Sequence, residues 1–190
     1  MSRISTAVAA FILPVAVFIG VDAHENDTVV VQLPHTLSVQ TAAEGLRVAL
    51  SNVPAIPDHG YTAQSRCLAQ AVYFEARSEP VEGQLAVAQV VLNRVDDRRY
   101  PSTICGVVFQ NERMRHRCQF SFACDGRSDE PFERRAWEQA KKISQMATEG
   151  LWADVTRHAT HYHADYVAPH WSSSMLHTVS HGRHVFYRDR

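Results

Sequence analysis

One acidic residue, Glu75, stands where the sequence predicts the apolar face of a helix. Within residues 67–80, Leu68, Ala71, Val72 and Ala76 recur at the spacing of such a face. Seven residues fall about 20° short of two helical turns, so Glu75 should lie almost over Leu68. A carboxyl group in that position loses hydration, which raises its pKa. It can then donate a proton to a leaving oxygen near neutral pH, as the acid does in glycoside cleavage.

Other interpretations of Glu75 stay open on periodicity alone. A buried glutamate can instead be the partner of a structural ion pair, with Arg77 or Arg94 as the candidate cation. If Glu75 is catalytic, hydrolysis would favour a second carboxylate in the same site. The candidates for that second acid are Glu79, Glu82 and Asp125.

Histidine is concentrated near the C-terminus, with seven of the 11 histidines between His158 and His184. His161 and His163 would share one face of a strand with Asp165 close behind, which is a possible zinc site. Further ligands could come from His170, His177, His181 and His184. The sequence has no H-E-x-x-H pair, however, and neutral imidazoles also bind polar ligands. We therefore predict neither a metal nor another cofactor.

The aromatic and amide side chains of the same region suit a sugar chain. Saccharide rings have apolar faces that pack on aromatic rings, and their hydroxyls need hydrogen-bond partners. Ordinary core packing is the alternative for the aromatic residues. The predicted substrate-binding residues are Gln119, Phe120, Ser121, His161, Tyr162, His163 and Trp171.

Periodicity also predicts the elements that must hold these residues. Helices are expected over residues 63–78, 81–95 and 131–148, with Pro80 separating the first two. The second is apolar on both sides and should be central, and the apolar stripe of the third includes Phe132.

The C-terminal residues look extended rather than helical. Residues 176–179 and 184–187 would form a hairpin around Gly182, and residues 159–164 are a further extended stretch. The sequence therefore predicts an α+β fold, mainly helical with a small C-terminal β-hairpin or sheet.

The N-terminal residues have the pattern of a targeting segment. Arg3, a short apolar run and small residues up to Ala23 predict a cleaved signal peptide over residues 1–23. The apolar run is short for a membrane span, so we expect no stable span after cleavage. Residues 24–62 are rich in proline and are interpreted as a linker or loosely docked arm, followed by one domain over residues 63–190.

The net charge and the cysteine content exclude some kinds of function and site. The net charge of −1 offers no basic surface for nucleic acid. Export favours disulfides over a four-thiolate metal site, and no C-x-x-C spacing is present. The short Cys118–Cys124 spacing favours a small loop closed by that pair, which leaves Cys67 with Cys105.

Several ordered blocks of the sequence resemble the catalytic domain of the SleB/CwlJ cell wall hydrolases. The resemblance runs from about residue 66 to residue 187. The blocks are Ala-Val-Tyr-Phe-Glu-Ala-Arg-Ser-Glu-Pro at 71–80, Gly-Gln-Leu-Ala-Val-Ala-Gln-Val-Val-Leu-Asn-Arg at 83–94, Cys-Gln-Phe-Ser at 118–121, Ala-Thr-His-Tyr-His-Ala at 159–164 and Gly-Arg-His-Val-Phe-Tyr at 182–187.

The resemblance implies a fold similar to lysozyme-like lytic transglycosylases. It also implies that Glu75 is the catalytic acid and that the partner is the glycan strand of peptidoglycan, cut between N-acetylmuramic acid and N-acetylglucosamine. A lytic transglycosylase needs no second enzyme carboxylate, whereas a hydrolytic muramidase would. A zinc-dependent amidase and a non-catalytic wall-binding protein are the remaining alternatives. The signal segment and cysteines suit an exported protein of the periplasm or cell wall.

Overall fold

The computed structural model describes residues 39–54, 61–114 and 118–190. The predicted signal segment and residues 24–38 and 55–60 of the predicted arm lie outside this described part. The described helices are α1 (Val39–Asn52), α2 (Ala63–Ala76), α3 (Val81–Asp96), α4 (Ile104–Val108) and α5 (Arg134–Thr148). The strands are β1 (His161–Ala164), β2 (Leu176–His181) and β3 (His184–Arg188). The predicted α+β class is confirmed.

Helices α2 and α3 form the centre of the core. Thr62 caps α2 by accepting a hydrogen bond from the backbone N–H of Ser65 at 3.1 Å. Pro80 then separates α2 from α3, since proline suits the start of a new helix better than the interior of an old one. Both faces of α3 are buried, from Leu85 and Ala86 through Val91. The central position predicted for this helix is therefore confirmed.

Helix α5 packs against α2 and begins three residues later than the sequence predicts. The backbone N–H groups of Phe132 and Glu133 donate to the hydroxyl of Tyr73 at 3.2 and 3.0 Å. These residues lead into the helix, which starts at Arg134. The prediction that Phe132 belongs to the buried stripe is wrong, because its side chain is 76% exposed.

The described part of the predicted arm is a helix packed on the domain. Leu46, Leu50 and Val53 are buried in the same apolar cluster as the residues of α2 and α3. Residues 39–54 are therefore part of the folded unit rather than a linker, because α1 has an apolar face that the core covers.

The strands form an antiparallel sheet in the order β1-β3-β2. The predicted hairpin is β2 and β3, and Gly182 supplies the positive φ of 55° that its tight turn requires. Buried Arg94 of α3 joins the core to the start of β1 by donating from Nε to the backbone oxygen of Thr160 at 2.6 Å. This bond fixes the position of the start of β1 relative to α3.

Two disulfides tie the helical part together. Cys67 of α2 is bonded to Cys105 of α4, and Cys118 to Cys124, which is the pairing favoured by their spacing. The second bond closes the loop that leads into a 3₁₀ helix, Ser121–Cys124. Among the described helices, none is both long and apolar enough to cross a membrane.

Candidate active site

Glu75 lies in the last turn of α2, one residue before its end. Its side chain is half-buried, whereas Val72 and Ala76 on the same helix are fully buried. The carboxyl group therefore stands at the margin of the apolar face rather than within the core. A group in that position is partly dehydrated and still accessible.

The carboxyl group of Glu75 is bonded to a hydroxyl instead of a cation. Tyr162 of β1 donates a hydrogen bond to Oε2 of Glu75 at 3.3 Å. Arg77 instead pairs with Glu133 at 2.9 Å, and Arg94 binds the backbone of Thr160. Neither ion pair considered for Glu75 is formed in the described part of the chain.

Two opposing effects set the proton affinity of this carboxyl group. Burial raises the pKa of Glu75 because a carboxylate loses hydration there. The hydrogen bond from Tyr162 stabilises the carboxylate and offsets part of that rise. Burial is the larger effect, so Glu75 holds its proton to higher pH than an ordinary glutamate does.

Tyr162 is itself held firmly by the sheet. It pairs with Phe186 in the register of β1 and β3, and its ring packs on the rings of Phe186 and His184 at 5.6 and 5.0 Å. Burial raises the pKa of Tyr162 well above its ordinary value. The phenol therefore stays protonated, which keeps it a hydrogen-bond donor to Glu75.

A cavity of about 710 Å³ opens beside Glu75, and four chain segments line it. The end of α2 contributes one wall, the chain from Cys118 to Phe132 a second, β1 with the residues after it a third, and the start of β3 the last part. The lining residues are Phe74, Glu75, Arg77, Cys118, Gln119, Ser121, Phe122, Asp125, Arg127, Ser128, Asp129, Phe132, Tyr162, His163, Ala164, Tyr166, Val167 and His184.

Four of the predicted substrate-binding residues line this cavity: Gln119, Ser121, Tyr162 and His163. Gln119 and Ser121 come from the disulfide-closed loop, and Tyr162 and His163 come from β1. The structure thus brings together residues separated by more than forty positions in the chain.

The other three predicted residues lie elsewhere. Phe120 is only 2% exposed because its apolar ring packs into the core near Arg94. The His161 ring is bonded to Thr160 and to the hydroxyl of Tyr100, away from the cavity. Trp171 packs on His161, His163 and Tyr187, so it supports the ring of His163 from behind.

Residues 78–187, more than half of the chain, match the sequence profile of the family described as Cell Wall Hydrolase. The chain belongs to this family. The matched stretch covers the disulfide-closed loop, β1 and β2, and all of β3 except its last residue. It begins three residues after Glu75, so the acid itself lies just outside it.

Spore cortex-lytic enzymes are among the curated relatives of this cell wall hydrolase family member. The one from Bacillus cereus is 34% identical over 138 residues, which are 72% of this chain and 47% of that protein. The one from Bacillus subtilis is 56% identical over 45 residues, or 24% of this chain and 15% of that protein. The chain thus spans about half or less of the length of these relatives.

Two solved structures share the fold. The catalytic domain of the germination-specific lytic transglycosylase SleB from Bacillus anthracis matches with a TM-score of 0.55 and 34% identity, covering 70% of this chain and 100% of that one. The SleB catalytic domain from Bacillus cereus matches with a TM-score of 0.53 and 33% identity, covering 70% and 96%.

The three candidates for a second carboxylate lie in different parts of this cell wall hydrolase fold. Glu79 is turned toward the hairpin, where its Oε2 accepts from the backbone N–H of Arg183 at 2.8 Å. Glu82 has a buried Oε1 without a hydrogen-bond partner in the described part of the chain, and it does not line the cavity. Asp125 does line it, together with Asp129. Burial and neighbouring acidic groups raise the pKa of Asp129.

Asp129, Phe132 and His184 line the cavity, although the sequence did not predict any of them as a substrate-binding residue. Asp129 carries no periodicity signal because it lies in a loop. Phe132 was assigned to the helical stripe, although it and Tyr166 are large exposed aromatic residues at the cavity, 76% and 73% exposed. His184 was considered only as one of several zinc ligands. Because alternate residues of a strand share a face, the position of His184 two residues before Phe186 is the sequence signal that His184 faces inward.

The two central histidines of the zinc site considered above, His161 and His163, have protein partners for their ring nitrogens. Both nitrogens of His163 lie at hydrogen-bond distance from protein oxygens, the backbone oxygen of Ala164 at 2.9 Å and the hydroxyl of Tyr187 at 3.1 Å. No group of three or more His, Cys, Asp or Glu residues with metal-binding geometry occurs within residues 39–54, 61–114 and 118–190.

Proposed function

We propose that this protein cleaves peptidoglycan glycan strands between N-acetylmuramic acid and N-acetylglucosamine, as a lytic transglycosylase with Glu75 as acid and then base. The observation that carries the proposal is the partly dehydrated carboxyl group of Glu75 in a large cavity, held by a phenol rather than a cation. The match to a catalytic domain named as a germination-specific lytic transglycosylase supports the same reaction.

The reaction needs one group that first gives and then takes a proton. Protonated Glu75 donates its proton to the glycosidic oxygen, the bond from that oxygen to C1 of the muramoyl residue breaks, and the N-acetylglucosamine portion leaves with a free hydroxyl. The Glu75 carboxylate then removes the proton from the muramoyl 6-hydroxyl, whose oxygen bonds to C1. The product is a 1,6-anhydro ring, and no water is consumed.

The surroundings of Glu75 suit both halves of this cycle. Burial raises the pKa of Glu75, which favours the protonated acid that the first step needs. The hydroxyl of Tyr162 stabilises the carboxylate that forms after proton transfer, and it fixes which oxygen stays free. Since Tyr162 occupies Oε2, we expect Oε1 to face the glycosidic oxygen.

The rest of the cavity offers what a glycan strand requires. Phe132 and Tyr166 expose ring faces on which saccharide rings can pack, with an arginine over each ring, Arg77 and Arg183. Gln119 and Ser121 supply an amide and a hydroxyl for sugar hydroxyls. We propose that Gln119, Ser121, Tyr162 and His163 contact the bound strand.

A hydrolytic muramidase is the second candidate, because two further acids share the cavity. Asp125 and Asp129 line the same cavity as Glu75, and in a hydrolase one of them would activate water. Mass spectrometry of the muropeptides released by the purified protein decides between the two reactions. Anhydro-muramic acid ends are expected. Reducing ends without anhydro products, together with loss of activity in Asp125→Asn or Asp129→Asn, would establish the hydrolase instead.

The remaining alternatives are a non-catalytic wall-binding protein and a zinc-dependent amidase. A substitution of Glu75 tests the first, and chelation of metal ions tests the second. Glu75→Gln is expected to lower the rate of muropeptide release by at least about 10²-fold while the protein still folds. A scaffold protein would keep its cellular role in that variant, so complementation of a null strain is the matching assay. A zinc amidase would lose activity after exhaustive chelation, whereas we expect full retention.

We also propose that the protein acts outside the cytoplasm. Peptidoglycan lies beyond the membrane, and the two disulfides suit an oxidising compartment. A fusion to alkaline phosphatase, which requires disulfide formation, should be active when joined behind residue 190 of the full chain. Activity only in a cytoplasmic reporter would contradict export.

A further inference from the structure

Within the described part of the chain, the side chain of His184 is buried at the cavity and has no hydrogen bond to the protein. It opens β3, is 8% exposed, and lines the same cavity as Glu75. Its Nδ1 is sealed from solvent and has no partner in the described part of the chain. Buried polar groups are nearly always hydrogen-bonded, so the sealed Nδ1 decides which of the two ring nitrogens can carry the proton.

The second histidine of the cavity, His163, differs because the protein supplies partners for its polar atoms. Both nitrogens of His163 lie within hydrogen-bond distance of protein oxygens, at 2.9 and 3.1 Å, and its ring stacks on Tyr187 at 5.2 Å. Among residues 39–54, 61–114 and 118–190, the imidazole of His184 has ring contacts only, with Tyr162 at 5.0 Å and Phe186 at 6.2 Å. Packing therefore fixes the His184 ring while its polar atoms stay unused.

The position of the proton on His184 follows from these surroundings. Burial lowers the pKa of His184 although Glu79 and Asp165 act in the opposite sense, so the ring is neutral near pH 7. A neutral ring carries one N–H, and a buried N–H without an acceptor is rarer than a buried acceptor without a donor. The proton is thus better placed on Nε2, the nitrogen that is not sealed.

We propose that Nε2–H of His184 donates a hydrogen bond to an acceptor oxygen of the saccharide bound beside Glu75, and so positions the scissile bond. The proposal rests on the glycosidase function proposed above. The contact from His184 to Tyr162, and the bond from Tyr162 to Glu75, place this donor one residue away from the acid. Amino sugars offer two such acceptors, the acetamido carbonyl and the ring hydroxyls.

Three substitutions distinguish the contribution of each ring nitrogen of His184 from the contribution of the ring's shape. His184→Phe keeps a ring against Tyr162 and Phe186 but has no nitrogen. His184→Gln places an amide near the position of Nε2, and His184→Asn places one near Nδ1. Loss of one neutral hydrogen bond corresponds to about a 3- to 10-fold fall in kcat/KM. We expect that fall for Phe and Asn, mostly in KM, and partial recovery for Gln.

The matched control is His158→Asn, on an exposed histidine outside the cavity whose φ of 61° suits asparagine. Each variant is first checked by its melting temperature. A folded His184→Phe protein with the kcat/KM of wild type would overturn the proposal, as would equal effects of Gln and Asn. If the wild-type protein releases no muropeptides at all, the proposed function fails instead, so the two failures are distinguishable.

A direct measurement covers the case in which the variants fail to fold. In the Glu75→Gln protein, the ¹⁵N resonance of His184 Nε2 should shift when soluble glycan strands freed of stem peptides are added, while that of His158 stays unchanged. No shift at saturating glycan would refute the proposal. De-N-acetylated strands then identify the acceptor: the penalty of His184→Phe disappears if the acetamido carbonyl is bound and persists if a hydroxyl is.

Discussion

Replacing Tyr162 by phenylalanine should move the alkaline limb of the pH–rate profile to higher pH. The substitution removes the hydroxyl that donates to Glu75 at 3.3 Å and leaves the ring that packs on Phe186 and His184. That hydrogen bond stabilises the carboxylate and lowers the pKa of Glu75, whereas burial raises it. Without the bond only the effect of burial remains. The acid then keeps its proton to higher pH.

The size of the movement follows from the strength of the lost bond. Hydrogen bonds to charged groups contribute about 1.5–3 kcal/mol, and a length of 3.3 Å places this one at the weak end. Since about 1.4 kcal/mol corresponds to a tenfold change in an equilibrium constant, the limb should move by about one pH unit. The maximum rate should fall as well, because the carboxylate formed on proton transfer is less stable.

The assay is muropeptide release from purified peptidoglycan between pH 4.5 and 9, analysed as kcat/KM. For a general acid, loss of activity on the alkaline side reports deprotonation of the free enzyme. Tyr187→Phe is the matched control, since it removes a hydroxyl from the same sheet that bonds His163 rather than Glu75. An alkaline limb that stays in place or moves to lower pH in Tyr162→Phe would refute the account of how Glu75 is tuned.

Three stability predictions follow from the same structure. The native protein holds the Glu75 proton to higher pH than the unfolded chain, whose reference pKa is 4.5, so its free energy of unfolding should decrease as pH rises through the native pKa. Glu75→Gln should therefore raise Tm at pH 7–8 and lose this advantage near pH 4; a constant difference would contradict it. Gly182→Ala should cost at least about 2 kcal/mol, measured by urea unfolding, because φ is positive and the new Cβ would collide with the carboxyl of Glu79. Leu46→Ala should cost about 2–5 kcal/mol against less than about 0.5 kcal/mol for Val48→Ala on the exposed side of α1, and equal effects would show that α1 is not packed.

The spacing of apolar residues predicted the central helices because the buried positions of these helices recur at helical intervals. The apolar spacing of α3 places it between the other helices, and the proline before it marks the boundary with α2. The hairpin was predictable from a glycine between two β-branched and aromatic stretches. The start of α5 was not, because the hydroxyl of Tyr73, nearly sixty residues away, binds the backbone ahead of that helix.

The sequence predicted the residues of the site only where a side chain of a suitable type also faces the cavity. Gln119, Ser121, Tyr162 and His163 were chosen as polar or aromatic residues suited to sugars, and they line the cavity. Phe120 shares that chemistry but points into the core, since alternate residues of the disulfide-closed loop face opposite ways. No local pattern reports which side of such a loop is buried.

The position of Glu75 shows why no single segment of the chain identifies this site. The family match begins at residue 78, after the acid, yet most of the residues lining the cavity lie within it. Helix α2 supplies the carboxyl group, and β1 supplies the hydroxyl that holds it, 87 residues later. Arg94 joins these elements by binding the backbone just before β1. A change that loosens the bond from Arg94 to Thr160 should therefore weaken catalysis through Tyr162, although Arg94 does not line the cavity.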